Sequence, residues 1–164
     1  MRGNYRKFCF SALASASAAL LISAAPTAVL AQAAPSQCDA EEGGPSQTLS
    51  PRVGQEIQKL YELMQNDQFS EALAGFNTLI GNRGDGLSAY ERSTVLELRA
   101  NVKINLEDYR GAIADLQGAL DANGLPPARN NQLRYYIAQL NFQLEQYQTA
   151  INGLNQWIQT ARTC

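Results

Sequence analysis

The chain has 164 residues, with 13 Lys/Arg against 15 Asp/Glu, no histidine and three cysteines. Without histidine, general-base chemistry would fall to carboxylates or lysines, and a net charge of −2 offers no basic face for a phosphate backbone, so nucleic-acid binding finds no support. The length allows one domain of modest core.

Residues 1–33 read as a signal peptide. Arg2, Arg6 and Lys7 form a basic start, Phe8 to Leu30 is rich in Ala, Leu and Ser, and Ala31-Gln32-Ala33 gives a small-x-small cleavage pattern. The apolar run is long enough to act as an uncleaved anchor, but Pro26, the serines and the cleavage pattern favour removal after Ala33. The expected localisation is therefore periplasmic, in a Gram-negative bacterium, with no stable membrane insertion after cleavage. Loss of three basic residues leaves ten Lys/Arg against fifteen Asp/Glu, a mildly acidic remainder. Residues 34–50 are polar and Gly/Pro/Ser-rich, and read as a flexible leader. Cys38 and Cys164 lie near opposite ends of what remains. An even count in an exported chain permits a disulfide; an intramolecular bridge, an intermolecular one and free thiols all stay open. Neither cysteine has the CxxC spacing of a redox centre.

Residues 51–164 carry helical periodicity throughout. Ser50-Pro51 has the form of an N-cap followed by proline at the first helical position, and Val53, Ile57, Leu60, Tyr61 and Met64 share one side of the helix that follows. Three later stretches superimpose: QFSEALAGFNTLI (68–80), DYRGAIADLQGAL (108–120) and QYQTAINGLNQWI (146–158). Each has an aromatic (Phe69, Tyr109, Tyr147), Ala three residues on (Ala72, Ala112, Ala150), then Leu73, Ile113 or Ile151. Phe76, Leu116 or Leu154 follows, and finally Ile80, Leu120 or Ile158. The offsets place these side chains on one helix face, and their recurrence about every forty residues marks a helical repeat. Ser88 and Glu91 form a capping box before a helix with Val95, Leu96, Ala100 and Ile104. Pro126-Pro127 stops the preceding segment, and a fifth helix is expected from about Ala128. Gly81, Gly84, Gly86 and Gly124 in the longer loops tolerate positive φ. The predicted fold class is all-α: six antiparallel helices in three hairpins, each a helix A, a short turn and a helix B.

This pattern resembles the tetratricopeptide repeat over residues 51 to about 161. Ala100 and Ala138 match that family's small residue in helix A, whereas Leu60 departs from it. The aromatic, Ala and large apolar positions of helix B match in all three units. The tryptophan expected early in helix A is replaced by Glu56, Leu96 and Arg134. The opening PRVGQEIQKLYEL, the ND-x-F-S-E-A-L turn and the late Trp157 are further similar to periplasmic tetratricopeptide proteins associated with TonB–ExbB–ExbD energy transduction, which are longer. The resemblance implies a non-enzymatic scaffold or adaptor binding a protein partner, within a TonB-type transport complex. An alternative is an accessory or regulatory domain of an envelope enzyme complex in cell-wall metabolism.

No catalytic, cofactor or metal constellation is expected. Glu41-Glu42 lies in the leader, and Glu107-Asp108 sits where acids stabilise a helix N-terminus. Asn82 to Gly86 lacks the alternating acids of a calcium loop. The resemblance places the binding groove on helix A. Positions one turn apart there are Ile57, Tyr61, Gln65; Glu97, Asn101, Asn105; and Tyr135, Gln139, Gln143, a strip of amides with two tyrosines suited to a peptide backbone. In the subset of this family that clamps C-terminal carboxylates, a cation is wanted where Glu97 stands. At the C-terminal end, Trp157 and Ile158 are expected to stay uncovered and to dock on another copy or a partner, with Trp157 as the anchor.

Overall fold

The computed structural model describes residues 47–83 and 86–163, with only the backbone of Arg83, Arg162 and Thr163. The expected signal peptide, the leader up to residue 46, Cys38, Cys164 and Gly84-Asp85 lie outside the described residues. Six helices follow one another: α1 Pro51–Gln65, α2 Phe69–Arg83, α3 Ala89–Asn105, α4 Tyr109–Asp121, α5 Pro127–Gln143 and α6 Tyr147–Thr163. Each packs on its neighbour in sequence, and no strand occurs among the described residues. The fold is all-α, three helical hairpins in succession. No described helix is long and apolar enough to cross a membrane.

The three hairpin turns are the same object built three times. Asp67, Glu107 and Glu145 each take a left-handed φ of 57°, 60° and 59°. Behind each, the next residue's N–H reaches back five positions: Gln68 to the Leu63 carbonyl (2.9 Å), Asp108 to Lys103 (2.8 Å) and Gln146 to Asn141 (2.9 Å). Asp67, Glu107 and Glu145 themselves donate to the carbonyls of Met64, Ile104 and Phe142. These are Schellman terminations, which satisfy the orphan carbonyls of a helix end. The carbonyls of Gln68, Asp108 and Gln146 then accept from Ala72, Ala112 and Ala150 and start the second helix. Asp108 also caps α4, accepting the Gly111 N–H at 2.9 Å, as expected of an acid at that position.

The glycines do something other than the sequence suggests. Among the described residues no glycine has positive φ; the fourth left-handed residue is Asn123. Gly81 lies inside α2, and Gly124 is needed for close approach, since a Cβ there would meet the Ala89 carbonyl carbon and oxygen at 2.1 Å. The Gly124 N–H donates to the buried Ser93 hydroxyl, which in turn donates to the Ala119 carbonyl at 2.9 Å, so one serine ties the loop after α4 onto α3. Pro127 also starts α5 rather than ending the segment before it, with Pro126 as N-cap.

Packing follows the stripe with one adjustment. Ala72, Ala112 and Ala150 are buried in all three hairpins, as are Phe76 and Leu116. At the far end of helix B, however, the innermost residues are Leu79 and Ala119, one position before the expected Ile80 and Leu120, which are only partly buried. The buried residues at offsets three and seven lie about 60° and 20° to one side of the aromatic; offset ten falls about 80° to that same side, whereas offset eleven falls about 20° to the other. Leu60, too large for the small-residue position, is accommodated by Gly75, where a Cβ would lie 2.1 Å from its Cδ2. The third hairpin pairs Ala138 with Gly153 at the same site, with 3.2 Å to a notional Cβ.

Glu91 joins two helix starts. The Ser88 capping box is present, with the Glu91 N–H donating to the Ser88 hydroxyl (3.1 Å) and the Ser88 N–H to Glu91 Oε2 (2.9 Å). Glu91 Oε1 accepts a second pair of donors, the Ser50 N–H at 2.8 Å and the Ser50 hydroxyl at 2.6 Å. Ser50 thus occupies the N-cap position of α1 but spends its hydroxyl on Glu91 and makes no side-chain cap of its own. Burial pushes the Glu91 carboxyl up, yet the hydrogen bonds from Ser50 and Ser88 outweigh it and hold the pKa below the ordinary carboxylate value.

Candidate binding face

The strip along α1, α3 and α5 is in part open and in part occupied. Tyr61 is half-exposed, Gln65, Asn101, Asn105, Gln139 and Gln143 are exposed, and Ile57 packs into the first core. Asn105 Nδ2 donates to the Asn101 carbonyl at 2.9 Å, a local i to i−4 bond that leaves most of the Asn101 amide available. Glu97 is partly buried and forms an ion pair with Arg129 at the start of α5, both guanidinium Nε and Nη2 donating to its carboxylate. The position where a carboxylate clamp wants a cation is therefore a closed, neutral pair.

Tyr135 departs from expectation. Expected to line the open groove, it packs instead: its ring lies 4.9 Å from that of Trp157 on α6 and 6.3 Å from Tyr136, both tilted contacts. Gln139 Nε2 donates to the Tyr135 hydroxyl at 3.1 Å. Trp157 falls at the offset-ten position that Leu79 and Ala119 fill in the other hairpins, and α5 covers it. The expectation that Trp157 stays uncovered is corrected by this ring pair, which leaves it partly buried. Ile158 remains exposed, together with Ile151, Tyr147 and Phe142.

Two residues that the sequence reading passed over complete a cleft on this face. Glu97, Asn101, Ile104, Leu116, Arg129 and Tyr136 enclose about 210 Å³ between α3 and α5. Its apolar floor is Ile104 and Leu116, and its polar groups are the Asn101 amide, the Glu97–Arg129 pair and the Tyr136 hydroxyl. That combination suits a short side chain flanked by backbone amide groups. Nothing local in the sequence marks Arg129, because its partner lies 32 residues away. A larger hollow of about 770 Å³ lies between α1 and α2, lined by Ser50, Arg52, Glu56, Thr78 and Asn82 among others, and holds none of the strip residues.

A second unforeseen feature is a buried charge cluster. Asp115 on α4, 4 % exposed, receives Arg99 Nη2 at 2.6 Å and Nε at 2.8 Å, and Lys103 Nζ at 2.9 Å. Arg99 reaches on to Asn77 of α2 at 3.0 Å, and Lys103 also donates to the Gly111 carbonyl. Asp115 stands at the helix B position filled by Gly75 and Gly153 elsewhere, so the middle hairpin adds an ionic clasp there while its two helices still pack closely. No group of three His, Cys, Asp or Glu among the described residues is arranged to hold a metal. No family model, curated protein or solved structure matches this chain.

Proposed function

We propose that this chain is a tetratricopeptide-type interaction module that binds a protein segment along the α1, α3 and α5 face and carries no chemistry of its own. The observation behind this reading is the recurring hairpin whose first helices expose Tyr61, Gln65, Asn101, Asn105, Gln139 and Gln143, beside a small cleft with an apolar floor. Amides offer donor and acceptor together, which suits an extended or helical peptide backbone. The amino-terminal sequence supports work in the periplasm, where the resemblance to TonB-associated repeat proteins suggests a transport complex as the setting.

The test is capture from envelope extract with the native protein and with Asn101→Ala/Gln139→Ala. Both side chains are exposed, so the variant keeps its helical spectrum and loses a partner that the native protein retains. Equal capture by the two proteins would remove the face from consideration. Mass spectrometry of exported material should find Ala34 as the first residue; a retained Met1 in the inner membrane would replace the soluble adaptor by an anchored one. Neighbouring genes of the ExbB, ExbD and TonB type, as against cell-wall synthases, separate transport from wall metabolism.

A further inference from the structure

The third hairpin exposes what the first two bury. In the first two hairpins Phe69, Leu73, Ile80 and Met64, and their equivalents Tyr109, Ile113, Leu120 and Ile104, are all partly buried against the neighbouring core. The corresponding residues of the third are open: Tyr147 52 %, Ile151 51 %, Ile158 40 % and Phe142 62 % exposed, with Phe142 and Tyr147 rings in edge contact at 5.4 Å. What covers the stripe elsewhere is a helix. α3 lays Val95, Leu98 and Val102 on α2, and α5 lays Leu133, Tyr136 and Leu140 on α4. The stripe on α6 thus continues an interface that the fold already makes twice, and its missing cover is a helix with an apolar face.

The exposed faces of α1 and α6 decide which helix. α1 of another copy does not qualify, because the positions equivalent to Val95, Leu98 and Val102 are there Gln55, Gln58 and Glu62, all exposed. The first hairpin is finished with a polar outer face; the last is not. α6 itself does qualify. Its apolar stripe is bordered by Gln148, Asn152, Asn155 and Gln159, and no ionised side chain lies between Tyr147 and Ala161. Two copies facing each other across a two-fold axis meet no like-charge repulsion, and amides, being donor and acceptor at once, can pair with their own kind.

We propose that the chain forms an isologous dimer through α6, with Ile151, Tyr147, Ile158 and Phe142 as its apolar centre and Trp157 held back within the protomer against Tyr135. This is independent of the peptide-binding reading, since it uses the opposite edge of α6 from the ring that meets Tyr135. A single 17-residue helix is about 25 Å long. A face of that size falls below the standard interface, so the dissociation constant should be on the order of 10 μM.

Sedimentation equilibrium decides it, run with reductant so that no disulfide links copies. It is run on the full chain and on the chain from Ala34, to separate association through the apolar segment 8–30. We expect a monomer–dimer equilibrium in both, and at least about a tenfold weakening in Ile151→Glu, which keeps its fold because Ile151 is already half in water. A monomer at about 200 μM, well above the expected constant, overturns the proposal. So does a dimer that survives Ile151→Glu or vanishes with residues 1–33. Species growing without limit would mean head-to-tail stacking, and would overturn it equally.

Discussion

Replacing Glu91 by glutamine preserves the side chain's size and removes one acceptor. In the native chain one carboxylate oxygen serves the Ser50 N–H and hydroxyl and the other the Ser88 N–H. An amide has a single oxygen, so however the glutamine is turned its NH₂ opposes a donor. If the oxygen keeps Ser50, the Ser88 N–H loses its partner; if it keeps Ser88, the Ser50 N–H is stranded at the start of α1, while the Ser50 hydroxyl can turn and accept from the amide. A buried donor without a partner costs about 1–3 kcal/mol, and the surviving bonds lose the strength that the charge gave them. Ser50 and Ser88 themselves reach solvent, so water recovers part of this and the expected loss is about 1–2 kcal/mol, or roughly 4–8 °C in Tm for a domain of this size. Circular dichroism during heating and urea titration measures both. The pH dependence adds a signature. Because hydrogen bonds hold the Glu91 carboxyl below the ordinary carboxylate value, its contribution is complete above that value and is lost as pH falls through the folded one. The gap between native and variant should close as the solution is acidified below the ordinary carboxylate range. A Tm change under about 2 °C near neutrality, or a gap that stays constant on acidification, would refute the assignment of Glu91 as the joint between two helix starts.

Asp115→Ala leaves Arg99 and Lys103 partly buried without their counter-charge and should destabilise by about 3 kcal/mol in urea; a loss under about 1 kcal/mol would mean that both cations swing into water. Gly75→Ala collides with Leu60 and should cost about 1–3 kcal/mol, whereas in a Leu60→Ala background the same change should stabilise by about 1 kcal/mol through helix propensity. The reversal of sign is the test, and a loss of equal size in both backgrounds would discredit the contact. Glu145→Gly relieves a left-handed residue and should raise stability by up to about 1 kcal/mol, seen as a higher urea midpoint; a destabilised protein would show that the turn needs the glutamate side chain.

The hairpins were legible because their signal is local and repeated. An aromatic, Ala three residues later and an aliphatic one position on are read directly as a helix face, and Ala72, Ala112 and Ala150 all proved buried. The capping box at Ser88 was legible for the same reason, both partners lying within one turn. What escaped was set by pairs far apart in sequence. Ser50 looks like a simple N-cap until Glu91, 41 residues on, takes its hydroxyl. Leu60 looks like a departure from pattern until Gly75 is seen opposite. Arg129 and Asp115 acquire meaning only from Glu97, Arg99 and Lys103 across a helix interface. The loops misled through composition: glycines there allow left-handed turns, while among the described residues those that adopt that conformation are Asp67, Glu107, Glu145 and Asn123. On the candidate face, the exposed amides were read correctly by helical spacing. The packing of Tyr135 on Trp157 was not, because one ring's partner lies on another helix.

The pairing of Leu60 with Gly75, and of Arg99 and Lys103 with Asp115, sets where the chain can be cut and rejoined. A chimera that fuses α1 to α4 would press an isobutyl group onto a carboxylate and leave that acid without its cations. The reciprocal fusion of α3 to α2 would set two cations beside a bare glycine. Each hairpin is therefore a matched lock and key that must be inherited whole. Recombination, duplication or engineered lengthening of this array has its permitted joints between α2 and α3 and between α4 and α5, and not in the three tight turns, although those are the most uniform stretches of backbone in the molecule.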